Sequence, residues 1–199
     1  MINRAMQLDP VDPHIIALRA RILAATQNFA QALGNITMAI QYDCRIAELH
    51  EIRAQILMEL NNPDCAIASF TDAIKLEPDN LSCLVGRGRA YEERRNYPAA
   101  REDFSRALEI APDDAGIRAL RGNICLRLAD HEAAKEDYAA AAAADPDESA
   151  NYAILAALYQ YTGEKQQADK VLGSAKKCRN YDESELAYLL ASTLRRLQK

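Results

Sequence analysis

Gly86-Arg87-Gly88 opens like the GxGxxG loop, in which glycines let backbone amides approach a pyrophosphate. His131-Glu132 opens like HExxH, which sets two zinc ligands on one helix face. Neither completes. Tyr91 stands where the third glycine belongs and no strand precedes the loop, so the glycines read as helix-packing residues. Lys135 stands where the second histidine belongs. His14, His50 and His131 lie far apart without ligand spacing, and each reads as a solvent-facing or packing histidine. There is no GxSxG elbow, no P-loop and no paired-carboxylate signature. The sequence therefore points to no catalytic residue, no metal and no cofactor. What remains is a row of polar side chains, Arg21, Gln55, Arg89 and Asn123, at a constant step of 34 residues. Such a row of donors suits an extended backbone or its carboxylates. The alternative is plain solvation, with Arg21 and Arg89 pairing with Glu48, Glu51 or Glu92.

Bulk properties narrow the classes. The 199 residues are 49% apolar, enough for a sizeable core. A net charge of −5 and a pI near 5.3 argue against the basic face of a nucleic-acid binder. No apolar run approaches a membrane span, and MINRAMQLDP has no secretory core. Five cysteines form no CxxC pair and read as free thiols in a reducing compartment, the cytoplasm. Seven glycines, seven prolines and many helix formers favour an all-helical chain.

The elements that carry the polar row follow the same step. Pro10, Pro78, Pro112 and Pro146 sit on one ladder, with Cys44 on the missing rung and Asn180 on the next. Ala5, Ala39, Ala73, Ala107, Ala141 and Ala175 form a second ladder, and Ala32, Ala66, Ala100, Ala134 and Ala168 a third. Ala20, Ala54, Gly88, Gly122 and Ala156 form another. Periods of this length mean a solenoid or array. Each period holds two helices, because apolar residues recur at helical spacing on both sides of a break. Asn28, Asn62, Asn96 and Asp130 mark that break, and Asp12, Asn80 and Asp114 mark the other junction. All are strong N-caps. Small residues let the two helices approach, and no pair can bury its apolar face without stacking.

This pattern resembles the tetratricopeptide repeat family, whose signature sets an aromatic, Leu-Gly, Tyr, Ala, Phe and Pro at fixed offsets. The third period carries Gly88, Tyr91, Ala100, Phe104, Ala107 and Pro112. Departures occur at the first aromatic (Ile16, His50, Leu84, Arg118, then Tyr152) and at the Leu of Leu-Gly (Arg19, Arg53, Arg87, Arg121, then Leu155). The resemblance implies an all-α, right-handed superhelical solenoid of antiparallel helix pairs, one domain over 1–199. Repeats fall at 13–46, 47–80, 81–114, 115–148 and 149–182, with a half repeat at 1–10. Leu186, Leu189, Leu190, Leu194 and Leu197 make 183–199 a terminal capping helix. The half repeat reads as a chain that begins mid-unit, as a piece of a longer array would.

By the same resemblance the first helices line a concave groove for a peptide or a partner helix. His14, Ala17 and Arg21 face it, as do Glu48, Glu51 and Gln55, and Ser82, Val85 and Arg89. So do Gly116, Ala119 and Asn123, while Ala150, Ala153 and Ala157 leave apolar room at its far end. The clamp some members use on a chaperone's C-terminal carboxylate is not expected, because Ala17, Glu48, Glu51, Ser82 and Val85 replace its cations. The expected function is a non-catalytic protein–protein interaction scaffold with a protein or peptide partner, and no nucleic acid or membrane. Two alternatives stand: a regulatory or substrate-presenting arm of a larger enzyme, and a self-assembly module that forms a homo-oligomer through its half repeat. If partners bind the second helices instead, Arg101 and Lys135 are the side chains to test.

Overall fold

The helices begin where the 34-residue step places them. In the computed structural model, which describes residues 12–179 and 181–198, α1 (Pro13–Ala25) is followed by α2 (Phe29–Tyr42). Then come α3 (Ala47–Glu59) with α4 (Pro63–Leu76) and α5 (Leu81–Glu93) with α6 (Tyr97–Ile110). After them stand α7 (Ala115–Arg127) with α8 (His131–Ala144), α9 (Ser149–Tyr161) with α10 (Lys165–Ala175), and the closing α11 (Glu183–Leu197). Among the described residues there is no strand, and no helix is long and apolar enough to cross a membrane. The half repeat at 1–10, with Ala5 and Pro10, lies outside the described residues, as do Asn180 and Lys199.

The turns inside each pair share one geometry. Gln27, Asn61, Arg95, Ala129 and Gly163 occupy the left-handed region, with φ of 62, 54, 57, 57 and 85°. The next residue then reaches back over the helix end: the Asn96 N–H donates to the Tyr91 carbonyl at 2.8 Å, and Asn62 to Leu57 at 2.9 Å. This is the Schellman closure. The same residue caps the following helix. The Asn62 side chain accepts from the Cys65 N–H, and the Asp130 side chain from the Ala133 N–H. Asn28 and Glu164 are the exceptions; the Asn28 side chain donates to the Thr26 hydroxyl instead, and Glu164 Oε1 accepts from the Thr162 hydroxyl and Lys135. At the other junctions Asp12, Asn80 and Asp114 cap α1, α5 and α7 through the N–H groups of His14, Cys83 and Ile117.

The chain divides into two compact units, Met1–Asp103 and Phe104–Lys199, and the division falls within α6. In the first, α1 packs on α2, α2 on α3, and α3 on α4, around Ile16, Ala20, Ile36, Ala39, Leu49 and Ile52. In the second, α7 packs on α8, α8 on α9, and α9 on both α10 and α11. The small-residue ladders lie in the core: Ala20, Ala54 and Ala156 are fully buried, as are Ala39, Ala73, Ala107, Ala141 and Ala175. Gly122 shows why. A Cβ there would stand 2.9 Å from the Tyr138 ring, closer than carbon atoms tolerate. The leucine stripe of α11 turns inward, with Leu186 buried against Ala153 and Ala175.

The cysteines are free. Cys44 and Cys65 are exposed; Cys83, Cys125 and Cys178 are buried. Burial, with Glu51 nearby, pushes the Cys83 thiol up to about 12. The thiolate is the nucleophile. Alkylation of the native chain at mildly alkaline pH should therefore label Cys44 and Cys65 fast and the other three only after unfolding. Mass spectrometry of the labelled peptides checks this, and equal rates at all five would contradict the burial pattern.

Candidate functional site

The first helices also carry an arginine ladder at the same 34-residue step. Arg53, Arg87 and Arg121 point inward from α3, α5 and α7. Arg87 grips Asp103 on α6 through two bonds, Nε to Oδ2 at 2.8 Å and Nη2 to Oδ1 at 2.7 Å, and reaches Thr71 with Nη1 at 3.1 Å. Arg121 repeats this on α8, with bonds of 2.9 and 2.6 Å to Asp137. Both aspartates are 2% exposed. Hydrogen bonding to the Asp103 carboxylate holds the Arg87 guanidinium above its usual range. Arg53 meets Ser69 at 2.8 Å and Asp72 at 3.4 Å. Two of the departures at the first-aromatic position also have structural roles. Arg118 Nε donates to the Pro112 carbonyl at 3.0 Å, and His50 Nε2 lies 2.8 Å from the Cys44 carbonyl, so Nε2 carries the hydrogen. Each ties the start of its helix to the preceding loop.

On the open side, Arg21, Gln55 and Arg89 are all exposed. Arg21 lies 3.6 Å from Glu48, in an ion pair exposed at both ends. Such a pair is worth under about 1 kcal/mol. Gln55 donates to Glu51 Oε1 at 3.0 Å, and the Ser82 hydroxyl donates to the same oxygen at 2.6 Å. Among the described residues no hydrogen bond or ion pair engages Arg89. In the second unit Asn123 sits at the matching place on α7 and is half-buried.

Two clefts cut this face of the first unit. One, of about 430 Å³, lies between α1 and α3, with Arg21 and Ala24 on one wall, Ile52 and Gln55 on the other, and Phe29 behind. The next, of about 500 Å³, lies between α3 and α5, walled by Gln55, Met58, Val85 and Arg89 and floored by Phe70 and Gly86. Gln55 and Glu59 line both, so the structure brings Arg21 to Gln55 and Gln55 to Arg89 along one groove.

Other expected groove residues differ. Ala17 is buried in the core. Ala153 and Ala157 are also fully buried, and the room expected beside Ala153 is taken by the chain's own α11 through Leu186. Lys135, named as a surface position, is 9% exposed; it bonds Glu164 at 2.6 Å and Glu132 at 2.9 Å above the Tyr159 ring. It is therefore not an open contact on the second helices. Among the described residues no cluster of His, Cys, Asp or Glu could hold a metal ion. Gly86 is a packing glycine, as the sequence reading has it: a Cβ there would stand 2.4 Å from the Phe70 ring. Its signal was the series Leu18, Ile52, Gly86, Leu120, Ile154, in which only α5 lacks a side chain.

A family model described as tetratricopeptide repeat matches residues 53–115 and 85–149. No curated protein matches the chain. Among solved structures, YrrB, a TPR protein with an unusual peptide-binding site, is similar with a TM-score of 0.79 and 17% identity, covering 96% of this chain and 97% of that one. MamA protein is similar with a TM-score of 0.77 and 18% identity, over 82% of this chain and 89% of that one. MamA 41-end from Desulfovibrio magneticus RS-1 has a TM-score of 0.77 and 16% identity, over 86% of this chain and 97% of that one. At such identities the likeness is one of fold.

Proposed function

We propose that this chain, which belongs to the tetratricopeptide repeat family, is a non-catalytic protein-interaction scaffold whose first helices hold a peptide or partner helix. The observation that carries this reading is Arg89: an exposed cation without a partner among the described residues, on the wall of a cleft with an apolar floor. An arginine there can hold a carboxylate with two parallel bonds. Gln55 and Arg21 extend the groove on one side, and Asn123 marks the same position in the second unit. That a neighbour in fold has a peptide-binding site fits the reading. The five free thiols fit a scaffold of a reducing compartment, the cytoplasm.

The test is a partner captured from native lysate and then titrated. Arg89→Ala should weaken it by about 2 kcal/mol or more if the bound partner shields this exposed cation from water. Lys170→Ala, an exposed change on α10, should leave it unaltered. A loss under about 1 kcal/mol would make Arg89 a solvated charge and remove it from the site.

A second reading, self-assembly, is favoured by α1. Leu18 and Ile22 are 48% and 47% exposed, whereas Ile52 and Ile56, their counterparts one repeat later, are buried. A second copy covering them would make the sedimentation coefficient rise with concentration; a constant monomer value would dismiss it.

A further inference from the structure

We propose that the chain assembles head to tail: the half repeat at residues 1–10 of one copy docks as a second helix in the open groove between α10 and α11 of another. This rests on the self-assembly reading above and names the surface that receives the half repeat.

The groove is the seat of a second helix. First helices begin at residues 13, 47, 81, 115, 149 and 183, so α11 stands in first-helix phase. Among the described residues it has no second helix of its own. Two clefts, of about 340 and about 540 Å³, run between α10 and α11 and meet at Asp169. Leu172, Leu186 and Leu190 line the first, and Leu194 continues the apolar wall into the other. Gly173 lies open on this side: a Cβ there would meet nothing within 4 Å. On the preceding pair, α8 and α9, the corresponding place is taken by α10, whose Val171 packs with Tyr138, Leu155 and Leu158.

The occupant is written at the other end of the chain. The sequence of residues 1–10 falls on second-helix rungs. Ile2 stands on the rung of Ile36, Phe70, Phe104 and Tyr138, Ala5 on that of Ala39 and Ala73, and Met6 on that of Ile40, Ile74 and Leu108. In the described repeats the first two rungs are at most 2% exposed. Residues spaced i, i+3 and i+4 share one helix face. Such a face is buried only by stacking on neighbouring helices. The bulk is matched across the pair. Where α7 offers Gly122, the Tyr138 ring lies over it. On the same rung α11 offers Leu190, and the half repeat answers with Ile2 in place of a ring. Two copies thus complete one repeat between them.

A contact of this kind joins two different surfaces, so every copy keeps one seat and one half repeat to offer. The experiment is light scattering of the full chain over a concentration series, with two variants whose circular dichroism should match the parent. Ile2→Asp puts a charge on the docking face. Gly173→Trp fills the groove at an exposed position with open space around it. The parent should gain mass as concentration rises, and each variant alone should stay at the mass of one chain. Mixed in equal amounts, the variants should form a dimer of twice that mass, because one supplies an intact seat and the other an intact half repeat. A mixture that stays at one chain would overturn the split repeat. So would undiminished association of both variants, which would leave self-assembly standing through another face, such as Leu18 and Ile22. A parent that stays monomeric at every concentration would overturn both.

Discussion

Phe104→Ala should lower the free energy of unfolding by about 3–5 kcal/mol. Phe104 occupies the second-helix slot that also holds Ile36, Phe70 and Tyr138, and these four are 0, 0, 2 and 0% exposed. Truncation removes the ring's transfer energy and leaves a cavity that the small ladder residues cannot collapse to fill, since alanine and glycine have no side chain to move. Against a typical total of about 5–15 kcal/mol, such a loss should move the urea midpoint far enough to read by circular dichroism. A loss below about 1 kcal/mol would show that the slot does not carry the core.

Asp103→Ala should cost a similar amount, about 3–5 kcal/mol, by a different route. The Arg87 side chain is only 14% exposed, so removing the carboxylate strands a cation that water reaches poorly. Asp137→Ala should cost less, because Arg121 is 27% exposed and can rehydrate more fully. The chain contains its own control. In the last pair Leu155 and Val171 take the places of the arginine and the aspartate, and they pack in one apolar cluster. Arg87→Leu with Asp103→Val should therefore recover most of the stability that Asp103→Ala loses. Equal stability of Asp103→Ala and the parent would show the ion pair to be idle. No recovery in the double variant would show that the site needs its charges.

Much of this was legible in the sequence, and the residues say why. The prolines, the small ladders and the Asn/Asp caps repeat at one step because each turn and each close approach demands one residue type. The left-handed turn positions were not legible. Gln27, Asn61, Arg95, Ala129 and Gly163 share a backbone conformation and no chemistry, so the fold imposes it, at a cost of roughly 1–2 kcal/mol for a non-glycine residue. The arginine ladder was visible as a departure from leucine, but Asp103 and Asp137 lie on the other helix of the pair, and only packing joins them. The polar row was visible too. Its clefts were not, because they form only where α1, α3 and α5 stand side by side, and Ala153 reads as open until α11 covers it.

The claim that the first helices form the binding face is tested most directly by titrating the isotope-labelled chain with its captured partner, or a peptide from it, and mapping the amide shifts. The largest changes should cluster on α1, α3 and α5 around Arg21, Gln55 and Val85–Arg89, with α2 and α4 little moved. Changes confined to α2 and α4, with Arg21, Gln55 and Arg89 unperturbed at saturation, would contradict it.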